Sequence, residues 1–284
     1  MNRVILYGKM IERDIRKSIL SVKGFLILIA LLFINYQEIH PVVEWAQKQK
    51  AVPTPYAMPF IFYDYQFLLL FGMLIIFLFS DVPFINQHTT YILLRIGRRR
   101  WLFLQLFKMV IMSILYMGAE ILISMACCGN GNVFANKWGS VWNTLSVVPD
   151  EVSIAVPRNV LILYTPKEAM LRTFWLGMLV VFLIGCIMLL ASLVISNTFA
   201  IVSAGILAVF PYVTGNAGLI SPKIYYFSPI SWIGIIEHSK VYIYGGPTSK
   251  DMLAIVSLLS MLCILIIYVV IQYVDMKEWK GEKA

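Results

Sequence analysis

The sequence predicts an all-α integral membrane protein with six transmembrane helices, an N-terminal interfacial amphipathic helix and short outer helices between spans five and six. Of its 284 residues, 60% are hydrophobic and 13% are charged, and the mean hydropathy is +0.80. Soluble domains are about 45–50% apolar and about 25% charged. Six apolar runs approach the length of about 20 residues that a membrane-spanning helix needs. Basic residues are concentrated between alternate runs, as in multi-pass membrane proteins.

The predicted spans make up one transmembrane domain that covers residues 1–284. The fifth run is the shortest and ends near Pro211, so we expect its far end to be bent or irregular. The six runs are Gly24–Tyr36, Phe60–Phe79, Trp101–Met125, Leu171–Ile195, Phe199–Val213 and Met252–Val274.

The distribution of Lys and Arg predicts that both termini are cytoplasmic. Segments 1–23, 80–108 and 275–284 hold 14 of the 23 Lys and Arg residues, and segments 37–65, 128–172 and 215–251 hold the other nine over nearly twice the length. Because cytoplasmic loops carry the excess of basic residues, segments 37–65, 128–170 and 215–251 are expected to be extracellular. The expected location is the cell membrane, and specifically the plasma membrane of a bacterium. The net charge of +8 is explained by basic residues that flank the spans on the cytoplasmic side, so no nucleic acid partner is predicted.

Residues 2–21 are predicted to form an amphipathic helix that lies along the inner leaflet. The alternative is an ordinary cytoplasmic extension of the first span. An apolar stripe and a basic stripe both recur at helical spacing, and Glu12 can pair with Arg16 one turn later. The two stripes are formed by Val4, Ile11, Ile15 and Ile19 and by Lys9, Arg13 and Lys17.

The segment 80–100 joins spans two and three and has the sequence SDVPFINQHTTYILLRIGRRR. Asp81 and Pro83 close the second span. The stretch 86–94 is compatible with a short helix, and a basic turn of glycine and three arginines follows it at 97–100. Two interpretations stay open from composition: a helix that docks another protein, or a solvated basic loop that faces lipid.

The two long outer segments are expected to be mainly loops. Val160–Tyr164 is compatible with a short strand or an interfacial segment. Ser228 and Pro229 are suited to start a short helix, with an irregular loop as the alternative. Aromatic residues in the outer segments are interpreted as anchors in the headgroup zone: Trp45, Tyr63, Tyr65, Trp138, Trp142, Tyr225, Tyr226 and Trp232.

No catalytic, cofactor or metal site is predicted in the chain. It has no GxxxxGK[ST], HExxH or GxSxG motif, and its three histidines belong to different loops. Two ionisable residues fall within the third span, Lys108 and Glu120. Intramembrane charges mark transport pathways, so both are candidates for a pathway, although Lys108 is close enough to the inner boundary to snorkel.

The order of these parts resembles the membrane (permease) subunit of an ABC type-2 exporter. In that family, the loop after span two carries an acidic residue, a short helix with Thr and paired leucines, a basic turn, and Lys in the next span. The Ser228–Pro229 corner is also similar. Ile96 and Gly97 stand where the family has Pro. The counterparts here are Asp81, Thr90, Leu93, Leu94, Arg98, Arg99 and Lys108.

The resemblance implies ATP-driven export, with this chain forming the translocation path in a homo- or heterodimer of permease subunits. ATP and Mg would be bound by separate ABC ATPase subunits, so the chain itself is not expected to be an enzyme. Its other partner would be membrane lipid. The candidate residues for coupling to the ATPase are Gln87, Thr90, Tyr91, Leu93, Leu94, Arg98, Arg99 and Arg100.

Two other functions are compatible with the sequence. One is a non-transporting membrane protein, an immunity or sensor subunit that binds a peptide at its outer loops. The other is an intramembrane enzyme, which is disfavoured because no converging catalytic groups can be assembled.

Overall fold

In a computed structural model, long apolar helices form a bundle that short helices close at one end. The structure describes residues 12–83, 96–129, 136–148, 152–217, 222–234 and 249–273. Within these ranges every regular element is a helix. Five of the described helices are long and apolar enough to cross a membrane, as expected for a multi-pass membrane protein.

The elements are numbered here in chain order. Two 3-10 helices, Pro222–Phe227 and Ile230–Ile233, lie between the last two α-helices. The α-helices are α1 (Val22–Lys48), α2 (Met58–Ile61), α3 (Tyr65–Phe79), α4 (Arg98–Cys127), α5 (Gly139–Leu145), α6 (Arg158–Leu163), α7 (Pro166–Val194), α8 (Asn197–Ala217) and α9 (Ser249–Tyr273).

Helix α1 is longer than the first apolar run. Ser21 caps its start by accepting a hydrogen bond from the Gly24 backbone N–H at 3.1 Å, and the helix continues through Pro41 to Lys48. Buried apolar residues recur at helical spacing beyond the predicted end, at Ile39, Val42 and Ala46. This buried face keeps the chain helical, so the first helix continues through residues 37–48, beyond the predicted end of the span.

The predicted second span is interrupted near its start. Pro59 lies in the first turn of the short helix α2, and the Asp64 carboxylate then caps α3 by accepting from the Phe67 N–H at 2.8 Å. With 15 residues, α3 is about 22 Å long, which is less than the ~30 Å hydrocarbon core. The six-span count therefore stays a prediction.

Helix α7 forms the centre of the bundle and packs against α3, α4, α8 and α9. Gly177 contacts Met117 of α4 so closely that a Cβ would overlap the methionine side chain. At Gly185, a Cβ would lie 2.8 Å from Met109 Cε. These glycines allow close approach of helices within one chain.

The short helices build a compact structure at one end of the bundle, which we call the cap (residues 52–64, 136–148, 152–165 and 222–234). The ring of Phe60 lies 5.0 Å, between centroids, from the rings of both Trp138 and Trp142. The Trp142 Nε1–H donates to the Thr54 carbonyl oxygen at 3.0 Å. Trp232 is also buried. The interpretation of Trp138, Trp142 and Trp232 as headgroup anchors is wrong, because these rings form a protein core.

The cap contains more helix than the sequence predicts for its two long segments. Residues 158–163 form α6, so the strand alternative for Val160–Tyr164 is wrong. Pro229 is the N-cap of the 3-10 helix Ile230–Ile233. The Ser231 hydroxyl lies 2.7 Å from Ser228 Oγ and 3.2 Å from Thr214 Oγ1, which connects this element to α8. Helix α8 itself continues through Pro211 to Ala217.

The opposite end of the bundle carries basic residues, and we call it the basic end (Lys23, Asp81, Arg98–Arg100 and Asn197). Residues 12–19 are helical, and their Ile15 and Ile19 line a cavity of about 610 Å³ with Phe107 of α4. Residues 2–11 of the predicted amphipathic helix lie outside the described part of the chain. The interfacial helix therefore stays a prediction.

Candidate functional site

A groove with a volume of about 800 Å³ separates α1 from α4 and opens at the basic end. Its mouth is charged, and its deeper walls are apolar. The α1 wall extends to Leu31 and the α4 wall to Leu122. The charged residues that line the groove are Asp14, Lys17, Lys23, Asp81 and Lys108.

An ion pair stands at the mouth of the groove. The Lys23 Nζ lies 2.7 Å from Asp81 Oδ2 and donates a second hydrogen bond to Ser80 Oγ at 2.9 Å. The same ammonium lies 5.5 Å from the centroid of the Phe77 ring. Asp81 lies two residues after the end of α3, and Lys23 lies in the first turn of α1. This contact therefore ties the chain that leaves α3 to the first long helix.

Lys108, a pathway candidate from the sequence, lines the groove near its mouth. The side chain is almost buried, with 9% exposure. Asp14 and Asp81 are the acidic residues within electrostatic range of its ammonium group. A buried lysine needs such compensation in a medium of low dielectric constant. Lys108 is thus part of the charged lining of the groove.

Glu120, the second pathway candidate, is completely buried between α4 and α1. Asn35 of α1 is also completely buried, and its Nδ2–H donates to Glu120 Oε2 at 2.9 Å. The same Nδ2 donates to the Leu31 carbonyl oxygen at 2.9 Å. Glu120 Oε1 and Asn35 Oδ1 are buried without a hydrogen-bond partner. This pair lies beside the far end of the groove, since Leu31 precedes Asn35 by one helical turn and the groove-lining Ala119 and Leu122 flank Glu120 in the chain.

Three of the predicted coupling residues, Arg98, Arg99 and Arg100, form the first turn of α4. Arg98 Nη1 donates to the Gln272 carbonyl oxygen at 3.3 Å. The guanidinium carbon of Arg99 lies 5.5 Å from the ring centroid of Tyr268. Both contacts reach α9, so the start of α4 is tied to the last helix. The other candidates lie outside the described residues: Gln87, Thr90, Tyr91, Leu93 and Leu94.

Sequence reasoning missed the partners of the charged residues. Asn35 is the partner of Glu120, and its signal was a single amide within an otherwise apolar run, where polar side chains bind across helices. Lys23 is the partner of Asp81, but it was counted only as a basic flank of the first span. The contact of Arg98 with α9 had no signal in the sequence, because it involves a backbone carbonyl.

The described residues contain no group of three or more His, Cys, Asp and Glu side chains that could hold a metal ion. The four cysteines are free thiols. The chain matches no known protein family, no curated protein and no solved structure.

Proposed function

We propose that this chain is the membrane subunit of an ATP-driven ABC exporter, which forms the translocation path and couples to separate ATPase subunits. The observation that carries the proposal is how the flanks of the segment 84–95 are held. Asp81 precedes the segment and pairs with Lys23 at the groove mouth. Arg98 follows the segment and donates to the Gln272 carbonyl oxygen on α9.

A subunit driven by an external ATPase needs an element through which movement reaches its helices. Coupling of this kind requires an element with two arrangements that both sites bias. A displacement of the segment 84–95 would act on α1 through Asp81 and on α9 through Arg98. Because α1 forms one wall of the groove, the width of the groove would follow the position of the segment.

The remaining features of the proposal follow the family resemblance. The chain would work in the cell membrane with both termini in the cytoplasm, as a dimer with a second permease subunit. ATP and Mg would be bound on the partner ATPase chains. The peptide-binding sensor has less support, because Trp138, Trp142 and Trp232 are buried in the core of the cap and are not available to a peptide.

The test replaces two side chains that we assign to the ATPase contact, Tyr91→Ala and Leu94→Ala together. A helix-in-groove contact depends on a few large anchors, so we expect ATPase binding to weaken by about tenfold or more. The binding partner is trapped in native membranes by a photo-crosslinker at position 91 and identified by the nucleotide-binding motif in its sequence.

The matched control is Leu32→Ala together with Tyr36→Ala in α1. These two side chains lie one helical turn apart and are exposed on the outside of the bundle. This variant should keep both ATPase binding and ATP-driven transport. Unchanged binding and transport in the Tyr91 and Leu94 variant would contradict the proposal, as would crosslinked products without a nucleotide-binding chain.

A further inference from the structure

At the contact between Asn35 and Glu120, the buried oxygen atoms outnumber the hydrogen atoms that can bond to them. Both hydrogens of the Asn35 amide are in use, one on the Leu31 carbonyl oxygen and one on Glu120 Oε2. Two oxygens remain at the same contact, Glu120 Oε1 and Asn35 Oδ1, and both are buried without a partner. Buried side-chain oxygens of Gln105 and Asn197 also lack partners. Among the described residues, Asn35 and Glu120 are the two that each have such an oxygen and are also hydrogen-bonded to each other.

No basic side chain compensates a negative charge on Glu120 in the described part of the chain. The titratable groups on which its charge acts are Tyr116 and Cys127 of α4, and both are acids. Tyr116 uses its hydroxyl to donate to the Phe71 carbonyl oxygen at 3.2 Å. An isolated ionised carboxylate costs many kcal/mol in an apolar interior.

The helices packed around Glu120 also provide no counter-ion. On α1, Glu38 is close to Asp64, and His40 pairs with Glu44 at 3.7 Å. Helix α3 contains no charged residue. Helix α9 also packs against α4, and its charged residues, Lys250 and Asp251, both lie in its first turn. On α7, the guanidinium of Arg172 donates to the Tyr164 hydroxyl at 2.9 Å. Its charged neighbours Lys167 and Glu168 lie in the first turn of that helix.

We propose that Glu120 and Asn35 form a proton-binding site inside the membrane, in which one proton joins α1 to α4. A proton on Glu120 Oε1 converts the carboxylate into a carboxylic acid, whose O–H can donate to Asn35 Oδ1. An acid and an amide have complementary edges, each with one donor and one acceptor. The single proton therefore satisfies both unpartnered oxygens and removes the uncompensated charge.

The site also lies where a proton can reach it. The α4 wall of the groove reaches Ala119 and Leu122, which lie on either side of Glu120 in the chain. Charged residues line its mouth, so water can enter from the basic end. Loss of the proton leaves a buried carboxylate held only by the Asn35 amide, which weakens the contact between α1 and α4 at the far end of the groove. This proposal does not depend on the proposed function.

The first experiment is infrared difference spectroscopy of the full-length protein in lipid nanodiscs, comparing the native chain with Glu120→Gln. At neutral pH the difference should contain the carbonyl band of one protonated carboxyl group, and this band should disappear as the pH is raised. The matched control is Glu44→Gln, which changes a solvent-exposed glutamate of α1 and should show carboxylate bands. Carboxylate bands for Glu120 at neutral pH would overturn the proposal.

The second experiment measures thermal unfolding in detergent as a function of pH. If the folded protein holds a proton that the unfolded chain releases, stability must fall as the pH rises. In Glu120→Gln the amide N–H replaces the acid O–H as the donor to Asn35 Oδ1, so this variant should lose that part of the pH dependence. Equal pH dependence in both proteins would contradict the proposal.

A third variant keeps the test decisive if Glu120→Gln does not fold. Asn35→Leu removes the amide but keeps the carboxyl group, and the carbonyl band of the protonated acid should then shift, because its hydrogen-bond partner is gone. An unchanged band in Asn35→Leu would show that Asn35 takes no part in the site.

Discussion

The two ends of the bundle are built on opposite principles. In the cap, large aromatic rings are buried against each other and their N–H groups are satisfied, as for Trp138, which donates to the Tyr164 carbonyl oxygen at 2.9 Å. At the basic end, a groove of about 800 Å³ has charged side chains at its mouth and apolar walls beyond it. The cap resembles the interior of a soluble domain, whereas the basic end gathers charged side chains and leaves space between helices.

This difference predicts that substitutions at the two ends will have different effects on stability and on activity. Dense packing of satisfied rings stabilises a single arrangement, since any movement would open a cavity. An open groove, with space already present between its walls, can change its width without such a cost. We therefore expect substitutions in the cap to lower stability, and substitutions at the groove to alter activity with little effect on stability. The following predictions test this contrast in order of decreasing effect on stability.

The largest effect is expected for Trp142→Ala in the cap. The ring is completely buried and packs on Phe60, and its Nε1–H donates to the Thr54 carbonyl oxygen. Removal of a buried Trp typically lowers the free energy of unfolding by about 3–5 kcal/mol. Thermal unfolding of the purified protein in detergent measures the change. The control is Trp175→Ala on α7, where the ring is 49% exposed. Equal losses in the two variants would contradict the view that the cap is a folded core.

A medium effect is expected for Gly139→Ala at the start of α5. Gly139 has φ +74°, and a Cβ there would lie 2.9 Å from Thr54 Cγ2. A side chain in the left-handed region costs about 1–2 kcal/mol, and the contact with Thr54 adds to this loss. Gly205→Ala in α8 is the control, because its Cβ would meet nothing within 4 Å. Alanine favours a helix interior, so the control should be neutral or stabilising. A neutral result for Gly139→Ala would show that the backbone of the cap can adjust at this turn.

The long helices were largely predictable, because hydropathy and helical periodicity are local properties of the sequence. The apolar run from residue 101 lies within α4, and the runs from residues 171 and 252 begin inside α7 and α9. The break before α3 was missed, although Asp64 is an ordinary N-cap residue, because the apolar run continues on both sides of it. The cap was missed for another reason. Trp and Tyr beside a span are typical of both headgroup anchoring and protein cores, and only tertiary packing distinguishes the two.

The candidate site was predictable only in part. Lys108 and Glu120 were found because a charge in an apolar run is conspicuous. Their surroundings depend on contacts between distant segments, and no local pattern encodes these. Asn35 is separated from Glu120 by 85 positions, and Lys23 from Asp81 by 58.

The smallest effect on stability is expected at the mouth of the groove, for Asp81→Asn. The pair with Lys23 is short at 2.7 Å, but Asp81 is 68% exposed. Exposed ion pairs contribute about 0–1 kcal/mol, so thermal unfolding should change little. If Asp81 transmits movement from the segment 84–95 to α1, ATP-driven transport in proteoliposomes should nevertheless fall severalfold.

The exchange of both charges, Lys23→Asp with Asp81→Lys, distinguishes a mechanical link from a local need for each side chain. The exchanged pair can form the same contact with opposite polarity, so transport should return toward the native level if the link between α1 and the segment is what matters. The control is Glu12→Gln, which removes a pair with Arg16 in which both side chains are more than 70% exposed, and it should leave transport unchanged. Full transport in Asp81→Asn would instead mean that the groove changes its width without this contact. In that case the link through Arg98 and α9 would be the remaining route from the segment to the bundle.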